Sequence, residues 1–261
     1  MASKVAVAGA TGNIGLPVVQ QLVAAKFDVV VLSRSDNPSG LPAGVTVRKV
    51  DYDSVELTAA LQGVDAVVSA VASAALAGQT KIIDAAVAAG VKRFLPSEFG
   101  NDLQHPAVRA VPAFAPKVAV QEYLKKVVAE SDLTYTIVST GPFLDWGLYA
   151  GFLVGSLEER KVEIYDGGHQ EFSATTLPTL GRGVVAVLQH LEETKNRAVY
   201  FHEAVVSQSK LLGIAKELTP GETWEVTESK SADLKARADE KLAKGIFDME
   251  VAISLVKYSI L

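Results

Sequence analysis

Three glycines near the start of the chain have a spacing that suits the binding of phosphate groups. The segment GATGNIG follows an apolar run and precedes residues with helical spacing. In such a loop the first glycine allows a tight turn, the second lets the backbone approach a pyrophosphate, and the third lets helix and strand pack closely. Free N–H groups at the helix start then face the anion. The alternative is a glycine-rich turn without a ligand. The predicted dinucleotide-binding residues are Gly9, Ala10, Thr11, Gly12, Asn13, Ile14 and Gly15.

The end of the second apolar run indicates which dinucleotide binds. An NAD site commonly places Asp or Glu about 20 residues after the loop, whereas this run ends in Ser33 and Arg34. A guanidinium suits a 2′-phosphate. The sequence therefore favours NADP(H) over NAD(H), with Arg34 at the phosphate. Asp36 lies two residues further on, and the alternative for Arg34 is a solvated surface position.

A lysine is the candidate acid–base group. None of the seven tyrosines has a lysine four residues later, so the Tyr-x-x-x-Lys arrangement common in hydride transfer is missing. Lys117 lies in the first turn of a predicted helix and extends its apolar stripe of Val120, Leu124, Val127 and Val128. The helix dipole and burial both lower the pKa of such a lysine towards the range useful for proton transfer. The alternative is a lysine that covers the rim of the core while its ammonium reaches water.

Aromatic side chains cluster in the sequence around the end of the sixth apolar run. They are Phe99, Phe114, Phe143, Trp146, Tyr149 and Phe152. Ligands of doubly wound sheets bind outside the carboxyl ends of the strands. We therefore predict a flat aromatic substrate in a pocket formed by Phe143, Trp146, Tyr149 and Phe152. The alternative is that some of these rings form the core of a second layer.

Other chemistries find little support in the composition. The chain has no cysteine and four scattered histidines, so we predict no metal site. Its net charge of −5 argues against binding to nucleic acid. Residues 5–25 carry no charge but hold too many polar and helix-breaking groups for a membrane span. The lack of cysteine fits a reducing compartment, and we expect a cytoplasmic protein.

Strands and helices alternate over the first 140 residues. The alternation requires βαβ crossovers and predicts an α/β fold, a Rossmann-type doubly wound parallel sheet with helices on both faces. Residues 100–115 form a long link, which predicts a functional or mobile loop. The predicted strands cover 5–8, 28–33, 45–50, 65–71, 93–96 and 133–140, and the predicted helices cover 14–25, 55–61, 79–89 and 116–130.

The alternation weakens after Gly141. Strands are predicted at 162–165 and 171–175 around a turn at 166–168, and at 198–202 and 223–227; helices are predicted at 180–191, 209–218 and 232–244. We expect an NAD(P)-binding Rossmann domain over 1–145, to which 176–205 return. Residues 146–175 and 206–261 then form a small C-terminal substrate-binding layer on the carboxyl edge of the sheet. The apolar segment 253–261 indicates either a packed last element or a truncated chain.

Several stretches together resemble the NmrA-like and isoflavone-reductase-like branch of the atypical short-chain dehydrogenases. The GATGNIG loop is shared by many dehydrogenases, whereas RFLPSEFG followed by a lysine is much more specific. At Gln121 the plant reductases tend to have Arg. The matching stretches are 9–15, Ser33-Arg34, GVDAVVS at 63–69, RFLPSEFG at 93–100, Lys117, TLGRGVVAVL at 179–188, and 196–201.

The resemblance implies NADPH binding and the reduction of isoflavones, lignan ethers or related phenolics. It also implies that Lys117 serves as the general acid–base group beside the cofactor. The nicotinamide is then expected over the ends of the fourth and fifth strands, near Ala70, Val71 and Phe99. We therefore predict an NADPH-dependent reductase of a small aromatic, phenolic or conjugated substrate.

Two other functions stay open at this point. One is a non-catalytic NmrA-type sensor that binds NADP(H) and acts through a protein partner. The other is an epimerase-like or dehydratase-like enzyme, against which the missing Tyr-x-x-x-Lys counts. A homodimer is compatible with each of these functions.

Overall fold

The computed structural model describes residues 2–261 and divides the chain into two compact units. Each unit contains several separate segments of the chain. The assignment of separate cofactor and substrate-binding roles to parts of the chain stays a prediction. Unit 1 comprises Met1–Phe99, Pro116–Ser139 and Leu177–Phe201, and unit 2 comprises Gly100–Ala115, Thr140–Thr176 and His202–Leu261.

The elements within residues 2–261 are numbered in chain order. The strands are β1 (Lys4–Ala8), β2 (Asp28–Ser33), β3 (Thr46–Lys49), β4 (Ala66–Ser69), β5 (Arg93–Leu95), β6 (Thr134–Ser139), β7 (Gly155–Ser156), β8 (Lys161–Tyr165), β9 (Phe172–Ala174), β10 (Arg197–Tyr200), β11 (Ala204–Val206) and β12 (Glu225–Ser229). The helices are α1 (Gly15–Ala24), α2 (Glu56–Ala60), α3 (Gln79–Ala88), α4 (Pro106–Arg109), α5 (Ala115–Ala129), α6 (Leu144–Tyr149), α7 (Leu177–Gln189), α8 (Gln208–Leu218), α9 (Ser231–Ala243) and α10 (Met249–Tyr258). Short 3-10 helices cover Ser73–Gly78, Pro112–Phe114 and Asp166–Gly168.

Unit 1 is built on a seven-stranded parallel sheet. The strand order is β10-β6-β5-β4-β1-β2-β3, and each neighbouring pair runs parallel. Central strands such as β1 and β4 are almost wholly apolar and buried, as in strands covered by helices on both faces. This sheet confirms the predicted α/β doubly wound fold. The predicted fourth strand over 65–71 is too long, because residues after Ser69 turn away to form a loop.

A buried arginine joins three segments at the amino end of unit 1's sheet. The Arg93 guanidinium donates hydrogen bonds to the hydroxyls of Thr134, Thr136 and Thr194, at 2.8, 2.8 and 2.9 Å, and to the Leu191 carbonyl. Burial lowers the pKa of Arg93. These bonds satisfy a charge that would otherwise be expensive to bury.

Unit 2 contains two small sheets and five helices among the residues described. In one sheet β8 pairs with β12 in parallel and with β7 in antiparallel fashion, and in the other β9 pairs with β11. The predicted strands on either side of the 166–168 turn therefore exist but lie in different sheets. The 3-10 helix at this turn, with a positive φ at Asp166, Gly167 and Gly168, leads the chain away from β8.

Two predictions about unit 2 are resolved by helices. The link over 100–115 is not an irregular loop, because Pro106 and Pro112 each begin a short helical segment. The apolar segment near the end of the sequence forms α10, whose Val251 and Leu255 are buried in a cluster with Ala238 of α9. Along the part of the chain from residue 2 onwards, no helix has both the length and the apolar character that crossing a membrane requires.

Candidate functional site

The first and third glycines of the GATGNIG loop are required by the packing of the chain itself. Gly9 has a φ of +76°, and a Cβ there would lie 2.3 Å from the Ala70 carbonyl oxygen and 3.0 Å from the Val71 nitrogen. A Cβ at Gly15 would lie 2.1 Å from the Gly9 carbonyl oxygen. The loop therefore packs directly against the carboxyl end of β4, and three of the predicted cofactor residues, Gly9, Ala70 and Val71, come together.

The middle of the same loop faces solvent. Thr11, Gly12 and Asn13 are exposed, and a Cβ at Gly12 would meet only the Gly9 carbonyl oxygen, at 3.3 Å. The amides of Thr11, Asn13 and Ile14 donate no hydrogen bond to any residue from 2 to 261. Free amides that are exposed to solvent at the start of α1 fit the pyrophosphate of a dinucleotide. Ala10 is buried beneath them.

A polar network joins the ends of β4 and β5. The Ser97 amide donates to Gln79 Oε1 at 2.8 Å, and the Ser97 hydroxyl donates to the Val71 carbonyl at 2.9 Å. Gln79 Nε2 donates to the Leu76 carbonyl at 3.2 Å. These bonds hold the loops where the nicotinamide is expected. Sequence reasoning missed Gln79 and Ser97, although Ser97 belongs to the RFLPSEFG stretch.

Tyr52 lies near both the glycine loop and Arg34. Arg34 is exposed directly after β2, and the Tyr52 hydroxyl donates to the Leu32 carbonyl at 3.0 Å. Burial raises the pKa of Tyr52 to about 12, while Arg34 and the Gly9 backbone act to lower it, so both lie near its hydroxyl. Sequence reasoning missed Tyr52. Its position shortly after β3, at the same edge of the sheet, was the available signal.

Asp36, which complicated the choice between NADP and NAD, is engaged by a lysine. Its carboxylate forms an ion pair with Lys49 Nζ at 2.7 Å. Both side chains are exposed, and the carboxylate raises the pKa of Lys49. Asp36 could therefore serve a dinucleotide ribose only if it gave up its ion pair with Lys49.

Lys117 is the third residue of α5, and its side chain turns towards the end of β5. Its Nζ donates to the Glu98 carbonyl at 2.5 Å. Burial lowers the pKa of Lys117, and the nearby Glu98 carboxylate acts in the opposite direction. Phe99, next to this acceptor, is buried and adopts a φ of +40°, with its amide donating to the Val138 carbonyl at 3.0 Å. The structure thus brings Lys117 and Phe99 to the same turn.

The predicted pocket residues of unit 2 are brought together only in part. The rings of Trp146 and Phe152 lie 6.2 Å apart at an interplanar angle of 43°. Phe143 precedes α6 and forms a backbone bridge with Thr175. Tyr149 is 94% exposed and contacts no other ring among residues 2–261. Their role in substrate binding stays a prediction.

The described residues offer no metal centre. From residue 2 to 261, no group of three or more His, Asp or Glu side chains is arranged to hold a metal ion.

Comparison with known proteins supports the resemblance found in the sequence. The model of the NmrA-like family matches residues 1–250. Oxidoreductase poxI of Penicillium oxalicum is 34% identical over 249 residues, which cover 93% of this chain and 78% of that protein. Oxidoreductase aprR of Aspergillus flavus is 36% identical over 250 residues, which cover 94% and 83%. The solved structure of AtPrR2 with NADP+ and (+)pinoresinol has a TM-score of 0.79 at 23% identity, covering 98% of this chain and 86% of that one. The chain belongs to the NmrA-like family.

Proposed function

We propose that this protein is an NADPH-dependent reductase of a small aromatic, phenolic or conjugated substrate. The observation that carries the proposal is Lys117, a partly buried lysine with a lowered pKa in the same unit as a glycine loop with free amides. The relatives poxI and aprR of this protein are named oxidoreductases, and the structure of AtPrR2 was solved with NADP+ and (+)pinoresinol.

The cofactor residues have separate tasks in this proposal. The amides of Thr11, Asn13 and Ile14 donate to the pyrophosphate, and Arg34 binds the 2′-phosphate. Ala70, Val71 and Phe99 line the nicotinamide. When bound there, NADPH supplies the hydride.

Lys117 supplies the proton that balances the hydride. Its ammonium is oriented by the Glu98 carbonyl, which leaves two further N–H bonds of the group available. Because burial lowers its pKa, the ammonium gives up a proton to a developing oxyanion or carbanion more readily than an ordinary lysine does. Phe143, Trp146, Tyr149 and Phe152 are proposed, from their clustering in the sequence, to bind the substrate ring.

The test is a turnover assay with NADPH and a panel of phenolic ethers, quinones and conjugated ketones. Loss of NADPH absorbance identifies a substrate. Lys117→Ala should lower kcat by about 10²–10⁴-fold, the usual contribution of a positioned acid, and should leave NADPH affinity within a few-fold. Lys126→Ala, at an exposed position of the same helix, is the matched control and should change neither.

Two outcomes would contradict the proposal in different ways. Unchanged turnover in Lys117→Ala would remove the lysine from the mechanism while keeping the reductase. Tight NADPH binding without consumption by any substrate of the panel would favour the sensor that acts through a protein partner.

A further inference from the structure

A lysine in unit 2 has an ammonium group without a hydrogen-bond partner among residues 2–261. Lys257 lies in the last turn of α10 and is partly buried. Its Nζ is 5.6 Å from the centroid of the Phe152 ring and 5.9 Å from that of Tyr165. Among residues 2–261 it forms no hydrogen bond or ion pair. Two aromatic faces attract the cation, but they leave its three N–H donors without an oxygen acceptor.

The nearest carboxylate is already engaged. Glu163 accepts a hydrogen bond from the Ser229 hydroxyl at 2.7 Å, and the Tyr165 hydroxyl also acts to lower the pKa of this carboxyl. The charges of Arg237 and Lys257 both act to lower the pKa of Glu163, so this one carboxylate balances two nearby cations. Burial lowers the pKa of Lys257, and Glu163 acts against this only in part. Glu163, Arg237 and Lys257 together therefore carry more positive than negative charge, and the N–H donors of Lys257 are unused.

The ammonium also adjoins the aromatic side chains of unit 2. The Phe152 ring that lies under Lys257 packs at an angle against Trp146, whose side chain is 38% exposed. A ring that packs against Trp146 and Phe152 from solvent would reach the neighbourhood of Lys257 through the shared Phe152. An anionic oxygen on that ring would give the ammonium the acceptor that it lacks.

We propose that Lys257 binds the carboxylate of an aromatic acid whose ring packs against Trp146 and Phe152. A carboxylate fits better than a neutral polar group, because its negative charge attracts the ammonium in addition to accepting its hydrogen bond, whereas a neutral oxygen only accepts the bond. This inference rests on the proposed function, because it names aromatic carboxylates as the substrate class of the proposed reductase.

The test is calorimetric titration of the full chain, without dinucleotide, with cinnamate and with cinnamamide. The two probes share ring and length, but only cinnamate carries a charge. We expect wild type to bind cinnamate at least tenfold more tightly than cinnamamide. Lys257→Met keeps the apolar stem and removes the charge, so it should abolish this preference by weakening cinnamate alone. Lys257→Arg, which keeps the charge, should retain the preference.

The matched control is Lys216→Met, at an exposed position on α8 of the same unit, which should bind both probes like wild type. The proposal is overturned if wild type fails to bind cinnamate or binds both probes equally. It is also overturned if Lys257→Met retains the preference, or if Lys257→Arg folds and loses it. Because no NADPH is present, these outcomes are independent of whether the reductase assay succeeds.

Discussion

The candidate residues of unit 1 and unit 2 are held in different ways. In unit 1 the backbone determines their positions: Gly9 packs so closely on Ala70 that no Cβ fits, and Phe99 has a positive φ. In unit 2 the candidate rings lie on or beside a short helix, where Tyr149 and Trp146 are exposed. Exposed side chains are usually exchanged with little effect on stability. The fold therefore constrains the predicted cofactor residues of unit 1 more strictly than the candidate rings of unit 2.

Each unit nevertheless contains a buried polar side chain whose hydrogen bonds join separate segments of the chain. Arg93 performs this task in unit 1. In unit 2, Gln208 Oε1 accepts from the Tyr165 amide at 2.8 Å, and its Nε2 donates to the carbonyls of Leu153 and Glu163 at 2.7 and 3.1 Å. Core stability in both units thus depends on hydrogen bonds between residues distant in sequence.

The largest effect is expected for Gly9→Ala, which tests how strictly the backbone packing of unit 1 constrains the glycine loop. A non-glycine residue at positive φ costs roughly 1–3 kcal/mol, and the clash with Ala70 adds to it. We expect the free energy of unfolding to fall by about 3 kcal/mol or more, with loss of NADPH binding. Gly12→Ala is the control, because a Cβ there would meet only the Gly9 carbonyl oxygen, at 3.3 Å, a contact that a shift of a few tenths of an ångström relieves. It should change stability by less than about 1 kcal/mol but still weaken NADPH. If urea denaturation finds Gly9→Ala as stable as wild type, the packing of Gly9 on Ala70 does not hold the loop in place.

Somewhat smaller losses of stability are expected when the buried polar side chains that join separate segments are removed. Arg93→Ala should lower the free energy of unfolding of unit 1 by about 3 kcal/mol, because it leaves a cavity and removes the shorter of the two hydrogen bonds to the Leu191 carbonyl. Gln208→Ala should lower that of unit 2 by about 2 kcal/mol, because three backbone groups lose their partner. Amide hydrogen exchange in β5 and β6 follows unit 1. Tryptophan fluorescence follows unit 2, which holds both Trp146 and Trp224. Effects below about 0.5 kcal/mol would mean that water replaces these side chains.

A smaller effect per pH unit is expected for the acid–base group. Reduction needs the protonated form of Lys117, so kcat should fall up to tenfold per pH unit, about 1.4 kcal/mol, above the pKa of this lysine. Because burial lowers that pKa, the fall should begin below the ordinary value of 10.5. The reverse oxidation should gain rate over the same range. The kcat of Lys117→Arg should not show this fall at high pH, because a guanidinium stays protonated. A flat wild-type profile up to 10.5 would contradict the role.

The sequence predicts much of unit 1 because its signals are local. The second strand, Asp28–Ser33, is a continuous apolar run between polar residues and lies where the pattern places it. The glycine loop between β1 and α1 carries its own turn and packing requirements. Over 100–115 the pattern fails, because two prolines that resemble loop signals begin helical turns.

Partners distant in sequence account for what could not be predicted at the site. The position of Lys117 in the first turn of α5 follows from the helix pattern, but its acceptor, the Glu98 carbonyl, depends on how β5 ends. Tyr52 and Lys257 carry no local motif, and only the fold brings them to Arg34 and Phe152. Clustering in the sequence predicted four pocket rings, of which Trp146 and Phe152 contact each other.

The glycine loop and Arg34 are proposed to form the site for NADPH. The most direct measurement is fluorescence titration of wild type and Arg34→Ala with NADPH and with NADH. Micromolar or tighter NADPH binding is predicted, with NADH at least tenfold weaker, a gap of about 1.4 kcal/mol. Arg34→Ala should lose this preference by weakening NADPH alone. Equal weakening of both dinucleotides, or no binding of either by wild type, would contradict the account.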